Sequence, residues 1–102
     1  MSVSTVAVCL VARNEADTIA ASVEQVVRLR DAGTVRTAAV VDGGSHDGTD
    51  AIARTAGATV LHASEIHPEV GAVLGKGDSI WRAAAVLDDD LLVFLDADIE
   101  CD

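Results

Sequence analysis

Asp96 and Asp98 close the run Leu91-Leu-Val-Phe-Leu-Asp-Ala-Asp98, in which five apolar residues lead straight into two carboxylates spaced by one residue. A short unbroken apolar run predicts a strand buried on both faces, as in a parallel sheet. Side chains alternate along a strand, so the two acids point the same way if the extension continues. Carboxylates that converge where a buried strand surfaces repel each other unless a cation sits between or beside them. Hard divalent ions such as Mg²⁺ or Mn²⁺ take oxygen ligands and are often shared with substrate phosphates. Gly75-Lys-Gly77 either offers matching chemistry, a lysine just ahead of a predicted helix whose free N–H groups and dipole would add to its charge, or is a flexible turn with an exposed lysine. It is not a Walker loop, because Gly71 stands one residue too close and Gly77 follows the lysine. Asp42-Gly-Gly-Ser45 has two readings. Its carboxylate can accept hydrogen bonds from a base or ribose while the glycines admit a flat ring, or the four residues are simply a capped turn. No GxGxxG fingerprint is present.

These groups need a frame that brings them to one edge. Thr5 to Val11 predicts a first strand, and Asn14 an N-cap for a helix over 15–30 with Glu15 and Asp17 as first-turn acids. Ile19, Val23, Val26 and Val27 carry the helical spacing. Val35 to Val41 predicts a second strand, Thr49 to Ala56 a short helix and Ala58 to His62 a third strand. Residues 63–75 lack periodicity, contain the sole proline, Pro68, and read as a long loop. Asp78 to Leu87 is the next predicted helix and Leu91 to Leu95 the fourth strand, with Asp88-Asp-Asp90 as a solvated turn between them. The order βαβαβαβ implies parallel pairing and right-handed crossovers. In such sheets ligands sit beyond the carboxyl ends of the strands, where Asp42, Asp96 and Asp98 would all be.

The totals narrow the function. With 102 residues the chain is one domain or part of one, and half its residues are hydrophobic but only 2% aromatic. A net charge of −10 argues against non-specific nucleic-acid or anionic-membrane binding, so an anionic ligand would need a metal ion or a placed lysine. No apolar run approaches the roughly 20 residues of a membrane span. No positive n-region precedes the first apolar run, so a cytoplasmic location is expected. Cys9 and Cys101 have no metal spacing, and Cys9 reads as a small core residue. His46, His62 and His67 share no ligand spacing and read as surface or loop residues.

Taken together, Val11-Ala-Arg-Asn-Glu15, Val40-Val-Asp-Gly-Gly-Ser-His-Asp-Gly-Thr49, Gly75-Lys-Gly77 and Phe94-Leu-Asp-Ala-Asp98 resemble the nucleotide-sugar half of GT-A glycosyltransferases, over nearly the whole chain. Within that superfamily, Pro68-Glu-Val70 with Gly75-Lys-Gly-Asp-Ser-Ile-Trp-Arg82 resembles the glucosyl-3-phosphoglycerate synthases, a family 81 group close to family 2. The resemblance implies an α/β fold, a Rossmann-like parallel sheet forming the N-terminal part of a GT-A domain. Residues 1–102 would be its nucleotide-sugar-binding portion, with the acceptor half and a metal-completing histidine further on. Val11, Glu15, Asp42 and Gly43 would line the uridine pocket. Lys76, reaching the phosphate or sugar end, and Asp96, holding ribose or donor sugar, would be the catalytic residues, and Asp98 the metal ligand. Two departures stand out: Val11 replaces a usual proline, and Gly43 a usual Ser or Asp.

The function so implied is retaining, Mg²⁺- or Mn²⁺-dependent transfer of glucose from UDP-glucose to 3-phosphoglycerate, with this portion alone inactive. A family 2 transferase with a lipid-phosphate or polysaccharide acceptor is one alternative. Another is a non-catalytic domain that binds nucleotide or self-associates through unprotected strand edges, and homo-oligomerisation is expected on that ground.

Overall fold

The structure, a computed structural model, describes residues 5–97. Four parallel strands, β1 (Val6–Ala12), β2 (Thr37–Asp42), β3 (Thr59–His62) and β4 (Leu91–Asp96), form one sheet in the order β3-β2-β1-β4. Three helices, α1 (Ile19–Asp31), α2 (Thr49–Thr55) and α3 (Lys76–Val86), make the connections, so the predicted α/β order and parallel pairing are found. From β1 the chain steps to β2 on one side, and β4 returns to the other. The carboxyl end of β1, next to β4, is therefore the point where strand order reverses, and open α/β sheets have their ligand crevice there.

Alternation along the strands divides the core between two faces. Val8, Leu10, Ala12, Ala38 and Val40 pack under Ile19, Val23 and Val26 of α1 and Ala53 of α2. Cys9, Val11, Ala39 and Val41 face the other way and meet Ala83 and Ile80 of α3. β1 and β2 are buried throughout apart from their first residues, as their unbroken apolar runs require. Burial pushes the Cys9 thiol up to about 12, in keeping with a core residue. β4 departs from expectation. It is an edge strand among the described residues, with Leu91 54% and Leu95 41% exposed. A continuous apolar run carries no information on whether a second neighbour covers its outer side.

The first helix begins later than predicted. Asn14 is no N-cap: it has φ 54°, Thr18 precedes the first helical residue, and no acid lies in the first turn. Polar groups on the two loops draw residues 13–16 towards the β2 loop instead. Asn14 donates its N–H to Ser45 Oγ (2.8 Å) and accepts the His46 N–H on Oδ1 (2.8 Å). Glu15 N–H reaches Thr49 Oγ1 (2.9 Å), and Ala16 N–H reaches Asp47 Oδ2 (3.1 Å). Asp47 also accepts the Thr49 hydroxyl, which, with the Ala16 and Thr49 N–H groups, holds its carboxyl below the usual range.

The acidic triplet before β4 is only partly a solvated turn. Asp88 is open, but the Asp89 side chain is 2% exposed and accepts the Thr37 hydroxyl at 3.2 Å. Asp90 and Thr5 exchange hydrogen bonds of 3.1 and 2.9 Å, fixing the entrance of β4 beside β1.

Residues 63–75, read as a plain loop, contain two 3-10 turns, Ala63–Glu65 and Pro68–Val70. Their organiser is Arg82 on α3, which is 1% exposed. Its guanidinium donates to the carbonyls of Ala63 (3.1 Å), Ile66 (3.1 Å), Gly71 (2.8 Å) and Ala72 (3.4 Å). It also meets Asp78 Oδ1 at 3.1 Å, one turn earlier on the same helix. A buried cation is tolerated only when so fully paired. Asp78 in turn accepts the Leu74 N–H at 2.9 Å. The Arg82 guanidinium, and then that N–H, hold the Asp78 carboxyl below its ordinary value.

Candidate donor site

A cavity of about 300 Å³ opens at the carboxyl edge of the sheet, lined by Val11, Ala12, Arg13, Glu15, Gly43, Val73, Gly75, Lys76 and Ser79. Three segments build it. The β1 end supplies residues 11–15, held by their bonds to the β2 loop. Gly43 follows β2 and donates its N–H to Ala12 O at 2.9 Å. The turn into α3 supplies Val73, Gly75, Lys76 and Ser79. Gly75 has φ 137°, open to glycine alone at little cost, and this bend lets α3 start directly at Lys76. Gly43 answers to a close approach: a Cβ there would lie 3.2 Å from Ser79 Oγ, and Ser79 is buried. The Ser or Asp usual in the resembling family would press on this serine, so glycine here and Ser79 opposite fit each other.

A smaller concavity adjoins the first, sharing Val11 and Lys76 and adding Ile80, Phe94, Leu95 and Asp96. It lies between β1 and β4, at the reversal of strand order. Lys76 Nζ is 2.6 Å from Asp96 Oδ1, with the two side chains 59% and 39% exposed. Two residues twenty positions apart in sequence, Lys76 expected at the phosphate or sugar end and Asp96 at the ribose or donor sugar, thus meet across the crevice.

The register explains what comes together and what does not. Asp96 is opposite Val11 and so lies on the α3 face. Asp42 is opposite Ala12, on the face covered by α1 and α2. A one-residue offset at the strand end sends the two carboxylates to opposite sides of the sheet, roughly 10 Å apart by strand spacing. Asp42 is 3% exposed, and its Oδ1 accepts the N–H groups of Gly44 (2.9 Å) and Ser45 (2.8 Å). It shapes its own loop and is absent from the cavity lining, whereas Val11, Glu15, Gly43 and Lys76 line it. Asp98, expected as the metal ligand, lies outside the described residues.

Among the described residues, one oxygen each of Asp42 and Asp50 and one ring nitrogen of His62 lie within 4.8 Å of one another. By sequence His62 is a surface or loop residue with no ligand spacing. Pairing of Asp42 with His62 across β2 and β3 puts it beside these acids, with Nε2 3.7 Å from Asp50 Oδ2. This group faces α2, away from Lys76 and Asp96.

Sequence reasoning passed over Arg13, Val73 and Ser79 as lining residues. Arg13 was visible inside the Val11–Glu15 segment, and with Lys76 it brings positive charge to the cavity of an acidic chain. Val73 had no signal, because its place depends on the folding of the loop around Arg82.

The arrangement is that of an open α/β sheet with a recess beside its switch point, two basic side chains, and a carboxylate at the rim, the usual place for a ligand in such folds. The chain belongs to the family Glycosyl transferase family 2, which it matches over residues 7–102. It is 39% identical over 95 residues to the glucosyl-3-phosphoglycerate synthase of Mycolicibacterium paratuberculosis, covering 93% of this chain and 29% of that protein. It is 47% identical over 62 residues to the one from Petrotoga mobilis, covering 61% of this chain and 19% of that protein. The chain therefore spans less than a third of the length of these relatives. Among solved structures, mannosyl-3-phosphoglycerate synthase from Rubrobacter xylanophilus superposes with a TM-score of 0.88 at 35% identity, over 96% of this chain and 32% of that one. Glucosyl-3-phosphoglycerate synthase from Mycobacterium tuberculosis, in complex with Mn²⁺, UDP and glucosyl-3-phosphoglycerate, gives 0.87 at 37%, over 95% and 34%. The same enzyme has also been solved with Mg²⁺ and UDP. No helix among the described residues is long and apolar enough to cross a membrane.

Proposed function

We propose that residues 1–102 form the donor-binding portion of a glycosyltransferase that moves glucose from UDP-glucose to 3-phosphoglycerate. The observation carrying this reading is the contact of Lys76 with Asp96 at the mouth of the cavity. Exposed pairs of this kind contribute about 0–1 kcal/mol, so a phosphate oxygen can displace the carboxylate from Lys76 at little cost. Val11, Glu15 and Gly43 line the recess for the nucleoside, and Gly43 leaves the backbone open to a flat ring. Asp96 holds the ribose or the donor sugar.

The residues suit a divalent ion. Carboxylate oxygen at the rim is the donor chemistry of Mg²⁺ or Mn²⁺ shared with a diphosphate, and the lysine beside it would meet the diphosphate and not the ion. Asp98 would hold the ion, which when bound would neutralise charge on the leaving nucleotide. The protein's own part is to orient the nucleoside, place Lys76 where negative charge grows, and keep Asp96 at the sugar.

Likeness to both glucosyl and mannosyl enzymes makes the mannosyl nucleotide the second reading for the donor. The test is transfer of labelled sugar to 3-phosphoglycerate by the full reading frame that carries this chain. Labelled glucosylated product from UDP-glucose is expected. Transfer only from the mannosyl nucleotide would reassign the donor, and transfer from neither would refute the reading.

A further inference from the structure

We infer that Arg82 is a positioning residue for the donor site, acting on the cavity wall through the segment it fastens. This rests on the proposed donor-binding function. Arg82 lines neither concavity beside Lys76, and its side chain is fully buried. Its hydrogen bonds nonetheless bracket one lining residue. On one side of Val73 the guanidinium holds the carbonyls of Gly71 and Ala72. On the other side Asp78, gripped by the same guanidinium, holds the Leu74 N–H.

Val73 is thereby fastened to α3, the helix that also bears Lys76 and Ser79, so one helix carries both the cavity wall and the cation. Besides the clamp, Val73 itself packs partly against the core cluster that includes Ala83 and Val11. Its neighbours add little, since Leu74 is 89% and Val70 57% exposed. Backbone bonds of the segment are confined to turns such as Gly71 N–H to Pro68 O. Arginine is required because a lysine ammonium has three donors on a point charge and cannot span four carbonyls and a carboxylate as a planar fork does.

The experiment compares the chain with Arg82→Lys and Asp78→Asn by calorimetric titration with UDP in Mn²⁺ and by amide hydrogen exchange. Each variant is expected to raise the UDP dissociation constant about tenfold or more, the effect of one lost charge-assisted contact. Exchange should quicken at residues 71–76 while β1 and β2 stay protected. Unchanged exchange at 71–76, or unchanged UDP affinity despite quickened exchange, overturns the inference. A lower unfolding midpoint with wild-type affinity marks a purely structural arginine and overturns it equally. If Arg82→Lys loses protection in β1 and β2, Asp78→Asn decides, because it leaves the guanidinium on its four carbonyls. A wild-type chain that does not bind UDP refutes the donor-site reading itself, a result distinct from variants that bind as well as wild type.

Discussion

Replacing Lys76 with methionine is expected to weaken UDP binding by about ten- to a hundredfold, the loss that follows removal of a charge-assisted hydrogen bond of roughly 1.5–3 kcal/mol. The fold should be untouched. Lys76 is the first residue of α3, its side chain is largely in water, and its pair with Asp96 is exposed. Such a pair contributes about 0–1 kcal/mol to stability, so the melting temperature should shift little. Methionine keeps most of the stem and removes only the ammonium. In a chain of net charge −10, a diphosphate has few cations to turn to, and of the cavity lining only Arg13 remains. Calorimetric titration with UDP in Mn²⁺ measures the effect. Wild-type affinity in the variant would mean that the diphosphate lies elsewhere and that the Lys76–Asp96 contact is a surface ornament.

Ile19→Ala should be the most damaging of the core substitutions, at about 2–5 kcal/mol of unfolding free energy. That is a large part of the roughly 5–15 kcal/mol that holds a typical domain together. Ile19 is 0% exposed, packed with Val23 and Val26 against the β1–β2 face. It is also the first residue of α1, and its N–H bonds to Glu15 O at 2.8 Å. Truncation opens a cavity where the helix is joined to the segment carrying Glu15, so UDP affinity should fall along with stability. Urea unfolding followed by circular dichroism gives the number. A cost below about 1 kcal/mol would show that α1 seats on the sheet without this side chain.

The parts of this fold legible in the sequence are those set by local pattern. Unbroken apolar runs marked β1 and β2, helical spacing marked Ile19 to Val26, and alternation of elements gave parallel order. The run into Asp96 and the glycine-flanked Lys76 led to the same crevice, where the two side chains meet at 2.6 Å. What stayed hidden depends on partners distant in sequence. Asn14 has the composition of a helix cap, yet its side chain is engaged by the His46 N–H, 32 positions away. Asp42 and Asp96 both end strands, and only the register reveals that they face opposite sides of the sheet. Arg82 read as a family signature without a physical role, because its acceptors are loop carbonyls that no residue type announces. The apolar run of β4 did not by itself announce the exposure of a strand at the edge among the described residues, since burial along a strand is settled by its neighbours.

Whether a divalent ion at the sheet rim joins a nucleotide diphosphate to this chain is decided by titration with UDP in the presence and absence of Mn²⁺, for wild type and Asp98→Ala. Binding is expected only with metal, and Asp98→Ala should lose it. Equal affinity without metal, or undiminished binding by Asp98→Ala in excess Mn²⁺, would rule out a metal bridge.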